Sequence, residues 1–201
     1  PVLPIVFFHG VSPGLFAYIK VVWKTCMDRT AIIVETPSIS MKLHLLRGHS
    51  PLTEEGLVET VDGIMERHGI NRALFFGHSF GSIPVAWMSR HRPKAVAQVA
   101  LLDPVCLLLF LPDVARTFLY PEDFTTLPTV EKLVRNMVSK ETGIAHTLRR
   151  HFWWYQNILW PEDLHCPAVV GLAGGDKVAP AKALRRYLLS WHEHARNAWS
   201  R

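Results

Sequence analysis

The segment 77–82, GHSFGS, places a serine between two glycines directly after an apolar run. An apolar strand, a Gly-x-Ser-x-Gly turn and a helix-competent stretch are the sequence form of a nucleophile elbow, where a serine hydroxyl projects from a sharp turn. The turn strains the serine backbone and leaves no room for neighbouring side chains, and Gly77, Gly81 and the small Ser82 provide that room. Ser79 is therefore the candidate nucleophile.

Two aspartates that follow apolar runs are candidates for an acid supporting this serine. Asp176 follows the run 167–173 in a Gly-Gly-Asp turn, and Asp103 ends an earlier run in Leu-Leu-Asp-Pro. An acid of this kind orients an imidazole and stabilises its cationic form. The histidines after Asp176 are His192 and His194, which project about 200° apart on a predicted helix. The sequence thus supplies no evident general base.

Composition indicates one globular domain. The chain has 201 residues, of which 49% are hydrophobic and 19% charged, enough for a single core. The longest purely apolar run, 105–111, is far shorter than a membrane-spanning helix, and no secretory signal is visible. Three widely separated cysteines without a C-x-x-C spacing favour reduced thiols and an intracellular location. No motif for a metal or cofactor is found, so none is predicted.

The basic residues do not form a nucleic-acid-binding pattern. The net charge is +5, but the charges occur as scattered pairs such as 149–150 and 185–186. A continuous basic stripe marks a nucleic-acid groove, whereas scattered pairs are typical of a solvated surface. We therefore predict no nucleic-acid partner, and the composition leaves the oligomeric state open.

Short apolar runs alternate along the chain with helix-patterned segments. Strands are predicted at 4–8, 31–34, 73–76, 96–102 and 167–173, and helices at 53–68, 80–91 and 180–199. A further helix is predicted from apolar residues at helical spacing: Leu15, Phe16, Ile19, Val22, Trp23 and Cys26. This alternation predicts an α/β fold with a doubly wound, mostly parallel sheet. Residues 104–165 interrupt it with apolar and aromatic clusters, prolines and helical stretches.

The elbow, the His9-Gly10 pair after the first strand and the acid after 167–173 together resemble the α/β-hydrolase family of lipase and esterase type. The resemblance implies a single domain over residues 1–201, with a helical cap at 104–165 inserted between the sixth and seventh strands of the family sheet. The family's first two strands, and its last strand with the catalytic histidine, have no counterpart. The chain is accordingly identified as an α/β hydrolase truncated at both ends.

The resemblance also implies roles for individual residues. The backbone N–H groups of Phe80 and Val11 would form the oxyanion hole, where each donor contributes about 3–4 kcal/mol. Asp176 takes the position of the family's catalytic acid. Asp103 is the alternative acid, although a turn or capping role suits its Leu-Leu-Asp-Pro context better.

Substrate contacts are predicted around the elbow and in the cap. His78 precedes the candidate nucleophile in sequence, and the resemblance places His9 and Gly10 next to it. Trp153 and Trp154 belong to the aromatic run 152–155. These aromatic side chains either line a pocket for an acyl chain, contact a lipid surface, or pack the cap onto the sheet.

The implied function is hydrolysis of a carboxylic ester, small or lipid-like, through an acyl-enzyme on Ser79. No cofactor is implied, and a peripheral membrane contact is compatible with the aromatic cap. The alternative is a non-catalytic protein of the same fold that binds a hydrophobic ligand or partner, because no general base is evident.

Overall fold

The computed structural model describes residues 2–41, 53–112, 141–174 and 181–199, with only the helical backbone for 193–199. The strands in these ranges are β1 Ile5–Phe8, β2 Ala31–Val34, β3 Ala73–His78, β4 Val96–Leu102 and β5 Ala168–Gly171. The helices are α1 Ile19–Cys26, α2 Glu54–Arg67, α3 Ser82–His91, α4 Thr142–Arg150, α5 Trp154–Asn157 and α6 Ala181–Trp199. None of these described helices is long and apolar enough to cross a lipid bilayer.

The five strands form one parallel sheet in the order β2-β1-β3-β4-β5. Val6 of β1 lies opposite Ile32 of β2 and Phe75 of β3, so β1 is fully paired on both sides. Because all the strands are parallel, their carboxyl ends meet at one edge of the sheet, where ligands bind in open α/β folds. The predicted parallel sheet is confirmed.

Both faces of the central strand β1 are buried. Successive side chains of a strand point to opposite faces, so Phe7 of β1 and Phe76 of β3 pack edge-on at 5.1 Å with Tyr18 and Cys26 nearby. The opposite face, which includes Phe8, forms the larger core with α2 and α3. This arrangement explains why the strand sequences are continuous apolar runs rather than alternating ones.

Helix α2 begins as its sequence predicts. The Thr53 hydroxyl accepts the Gly56 N–H at 3.1 Å, and the first turn carries Glu54 and Glu55. The helix is followed by Gly69, whose φ of 65° is the left-handed conformation that favours glycine.

Helix α1 and the turn before it bury only part of the apolar face that the sequence predicts. Of the six apolar residues at helical spacing, Leu15, Val22 and Cys26 pack on the sheet, beside Tyr18. The other three are exposed, with Phe16 and Trp23 at 80% and 67%. A 3-10 turn, Gly14–Tyr18, precedes α1, so these residues do not follow one continuous 3.6-residue period.

The interval between β4 and β5 contains α4 and α5, so the predicted helical character is confirmed there. Residues 113–140 of this interval lie outside the described residues, and the boundaries 104–165 of the cap remain a prediction. Strand β5 ends at Gly171, two residues before the end of the predicted strand. Asp176 also lies outside the described residues.

Candidate active site

Ser79 lies where β3 passes into α3, in a backbone conformation that serine rarely adopts. Its φ is 51°, in the left-handed region, and the 3-10 turn Ser79–Gly81 connects the strand to the helix. Such a conformation costs about 1–3 kcal/mol and persists only where the surrounding structure imposes it. The strained elbow expected from the sequence is therefore present, with Ser79 partly exposed at the carboxyl edge of the sheet.

The elbow needs its two glycines because other backbone approaches them closely. A Cβ atom on Gly77 would lie 2.7 Å from the carbonyl carbon of Gly81. A Cβ atom on Gly81 would overlap the carbonyl oxygen of Phe8 at the end of β1. The close approach therefore involves the neighbouring strand as well as the turn itself.

Ser82, predicted only as a small residue, holds the elbow with its hydroxyl. The hydroxyl donates to the carbonyl of Ser79 at 2.6 Å and accepts the N–H groups of Val105 and Cys106 at 3.1 and 3.2 Å. Ser82 is fully buried, so these three bonds are shielded from water. They connect the nucleophile turn to the loop that follows β4.

His9 follows β1 and is 1% exposed. Its Nδ1–H donates to the carbonyl of Gly10 at 2.7 Å, and its Nε2 accepts the N–H of Thr36 at 3.0 Å. These two bonds require the neutral imidazole with its proton on Nδ1. His9 thereby connects the loop after β1 to the loop after β2.

Tyr18 connects the loop after β1 to the elbow. Its hydroxyl accepts the N–H of Gly10 at 2.9 Å, and its proton lies between the oxygen and Nδ1 of His78, 2.7 Å apart. Burial raises the pKa of Tyr18 above its ordinary value, although the bond from Gly10 opposes this, so the hydroxyl stays protonated. The loop after β1 also contacts Ser79, because a Cβ atom on Gly10 would lie 2.9 Å from Cβ of Ser79.

Asp103 adopts a left-handed turn at the end of β4, with φ 44°. Its Oδ1 accepts the N–H of Ala173, just after β5. A bond from carboxylate to backbone is what a turn-stabilising role requires. Ala173 precedes Asp176, the predicted acid, by three residues in sequence.

The described histidines that follow Ser79 in the chain lie on the surface. His91 pairs with Glu54 at 2.9 Å, and His146 and His151 bond to each other at 3.1 Å between their Nε2 atoms. The exposed histidines that follow Ser79 in the described part of the chain are His91, His146, His151, His165 and His192. The His194 side chain lies outside the described part of the chain.

The aromatic run after α4 contacts the elbow through Phe152. The rings of Phe152 and Phe80 are 6.0 Å apart, which brings this run onto the residue after the nucleophile. Trp153 and Trp154, which the sequence predicts as substrate contacts, are about half exposed.

Helix α3 holds the segment after the aromatic run in place. The Arg90 guanidinium donates to the carbonyls of Gln156 and Ile158, and the Trp87 indole N–H donates to Gln156 at 3.1 Å. Arg90 also pairs with Glu54 of α2 at 2.6 Å. One helix thus carries both the elbow and the support for α5.

No protein-family model matches the chain, and no curated protein sequence matches it. Solved structures do match, among them a meta-cleavage product hydrolase (CumD), at 16% identity and a TM-score of 0.63, over 91% of this chain and 77% of that one. A 2-hydroxy-6-oxo-6-phenylhexa-2,4-dienoate hydrolase from Rhodococcus matches at 16% identity and a TM-score of 0.60, over 89% and 75%. A thermophilic esterase from Thermogutta terrifontis matches at 15% identity and 0.62, over 92% and 76%. The fold of this chain is that of the α/β hydrolases.

Proposed function

We propose that the protein hydrolyses carboxylic esters with Ser79 as the nucleophile. The observation that carries the proposal is the left-handed backbone of Ser79, φ 51°. Ser79 lies in a strand-to-helix turn whose Gly81 packs against the end of β1. A serine held at this cost in strain points to a role for its hydroxyl rather than to packing. Hydrolases, including an esterase, are among the proteins of similar fold.

In this proposal the Ser79 oxygen attacks the ester carbonyl and a general base takes its proton. The tetrahedral oxyanion accepts the N–H of Phe80 and an N–H of the loop after β1. Because the Gly10 N–H already donates to Tyr18, we assign the second donor to Val11. The proton then passes to the leaving alcohol, and water hydrolyses the acyl-enzyme with regeneration of Ser79.

We assign Asp176 as the acid that orients the base, with Asp103 as its alternative. The Asp103 carboxylate already accepts the Ala173 N–H, which favours a supporting role for it. Substrate contacts by His9, Gly10, His78, Trp153 and Trp154 remain predictions.

A second candidate function is binding without catalysis, in which the same fold holds a hydrophobic ligand or a partner. The specific observation in its favour is that the described histidines after Ser79, including His192 on α6, are exposed on the surface. A general base must lie within hydrogen-bonding reach of the serine or be connected to it through a water molecule.

A fluorophosphonate probe separates the two functions, because it labels only an activated serine. Labelling is expected for the wild type and for Ser190→Ala, whose hydroxyl bonds to a carbonyl on α6, and not for Ser79→Ala. Hydrolysis of p-nitrophenyl esters should follow the same pattern. A folded protein without Ser79-dependent labelling would leave only the binding role.

The same esters distinguish the two aspartates. Asp103→Asn keeps an oxygen that accepts the Ala173 N–H, so the rate should stay close to that of the wild type. Asp176→Asn should lower kcat by roughly 10⁴-fold, as expected for the loss of an orienting acid. A large loss in Asp103→Asn with little change in Asp176→Asn would instead assign the acid to Asp103.

A further inference from the structure

We propose that this protein docks onto anionic lipid bilayers through a surface on the segment after β4. The surface consists of Arg149, Arg150, Trp153, Trp154 and Tyr155, and it is called the cap patch below. Docking goes beyond ester hydrolysis and does not depend on it, because it requires only the exposure and charge of these side chains.

The three aromatic side chains of the cap patch form one exposed cluster. Trp153, Trp154 and Tyr155 are 52%, 49% and 58% exposed. The Tyr155 ring lies 6.4 Å from that of Trp153 and 6.1 Å from that of Trp154. Tryptophan and tyrosine combine an apolar ring with a polar tip and concentrate at the boundary between lipid and water. Their exposure in a single cluster is therefore typical of an interfacial surface.

Positive charge lies close to the aromatic cluster in sequence. Arg149 and Arg150 are exposed at the end of α4, and residues 142–160 contain no aspartate or glutamate. Glu141, which precedes this segment, accepts the N–H groups of Gly143 and Ile144 at the start of α4. Of the two acids that follow it, Glu162 is exposed and Asp163 accepts the Trp160 N–H. The two arginines give the cap patch a positive charge that complements anionic headgroups.

The size of the aromatic cluster favours a bilayer over a second protein. Three aromatic side chains, each about half exposed, present on the order of 300 Å². A stable protein interface buries about 800 Å² on each partner. Interfacial anchoring, in contrast, needs only a few inserted aromatic side chains together with basic residues near anionic lipid.

The cap patch lies next to the candidate active site. Phe152, between the arginines and the tryptophans in sequence, turns inward and contacts Phe80 at 6.0 Å between ring centroids. Phe152 therefore connects the segment that carries the patch to the residue after Ser79.

Flotation with phosphatidylcholine vesicles, with and without phosphatidylserine, tests the proposal on the intact chain. The wild type should float with the phosphatidylserine vesicles and be released by high salt. Arg149→Gln/Arg150→Gln should weaken the binding about 25-fold, which is about five-fold for each arginine near an anionic surface. Trp153→Ser/Trp154→Ser should weaken it about ten-fold or more through the loss of inserted apolar area.

Trp23→Ser on α1 is the matched control, because Trp23 is 67% exposed and lies between the exposed Lys20 and Lys24. This variant should bind vesicles like the wild type, and so should Ser79→Ala, which separates docking from hydrolysis. Circular dichroism melts should show that the variants are folded, since all the changed cap side chains are exposed.

Three results would overturn the proposal. The first is a wild type that does not float with phosphatidylserine vesicles, and the second is binding lost in Trp23→Ser but kept in the cap variants. The third is a wild-type dimer in light scattering that Trp153→Ser/Trp154→Ser converts to a monomer, which would identify a second copy as the occupant.

Discussion

Tyr18 bonds to both the loop after β1 and the elbow. Its hydroxyl bonds to the Gly10 N–H and to Nδ1 of His78, and its ring lies 5.4 Å from the ring of His78. The hydroxyl therefore fixes the distance between the loop that we assign to the oxyanion and the residue before Ser79. Tyr18 is a positioning residue in the proposed reaction.

Tyr18→Phe should lower kcat for p-nitrophenyl esters by about ten-fold or more, with a smaller change in KM. The substitution removes two hydrogen bonds and leaves both partners without that oxygen, at a cost of about 1–3 kcal/mol for each group. Because the loop holds the oxyanion rather than the ground-state ester, the effect belongs mainly in kcat. Steady-state kinetics measure it, with Tyr187→Phe on α6 as the control. An unchanged kcat in Tyr18→Phe would contradict a positioning role for Tyr18.

At the residue scale, the sequence predicts those features of the site that depend on residues close together in the chain. The glycines around Ser79 could be predicted because the turn itself requires them. The bonds of Tyr18 to His78, 60 residues away, and of Ser82 to Val105, 23 residues away, leave no local signal. Such contacts depend on how distant segments of the chain meet.

At the scale of elements, α3 connects the elbow to the segment that carries the cap patch. Ser82 begins the helix and bonds to the Ser79 carbonyl, and Arg90 near its end donates to the carbonyls of Gln156 and Ile158. The helix is buried along almost its whole length. Helix α3 therefore fixes α5 relative to Ser79.

Arg90→Met should lower the free energy of unfolding by about 2–3 kcal/mol, because it breaks a partly buried ion pair and removes the donor of two carbonyls. Arg92→Met is the matched control: Arg92 bonds to Asp62 at 2.7 Å, but its side chain is 47% exposed against 23% for Arg90. An exposed pair contributes about 1 kcal/mol or less. Urea titrations compare the two variants, and equal losses would contradict a supporting role for Arg90.

Element boundaries followed from the sequence where periodicity and caps agreed. The bounds of β4 match the prediction, and Thr53 caps α2 as expected. The buried face of α1 was only partly predicted, because a change of helix type upstream is invisible to a fixed 3.6-residue period. Exposed Trp23 shows that apolar spacing alone does not determine which face packs on a sheet.

At the scale of the whole molecule, buried protonated groups determine the response to alkali. Complete burial raises the pKa of the Cys106 thiol from 9.0 to about 12, with the Ser82 bond opposing the shift. Burial also raises the pKa of Tyr18, Cys166 and Tyr187. All four groups hold their protons more tightly in the folded protein than in the unfolded chain. Each of them therefore lowers the free energy of unfolding as pH rises.

The free energy of unfolding should therefore be highest below pH 9 and fall as pH rises toward about 12. Above pH 9 the unfolded Cys106 thiol ionises while the folded one stays protonated, with a slope of at most about 1.4 kcal/mol per pH unit. Urea titrations across this range should show a shallower slope for Cys106→Ala than for the wild type. Parallel slopes would show that Cys106 is not responsible.

The parallel order of the sheet also determines when the elbow can form. Each strand pair needs a crossover, and β1 pairs with β3 across a long separation, Ile5 opposite Leu74. The overlap that makes Gly81 necessary involves Phe8 of that same β1. The strained Ser79 turn is therefore complete only after this non-local pairing, which is a slow class of folding event. A partly folded chain with its helices formed would still lack this turn, so under the proposed function reactivity at Ser79 would mark the finished sheet.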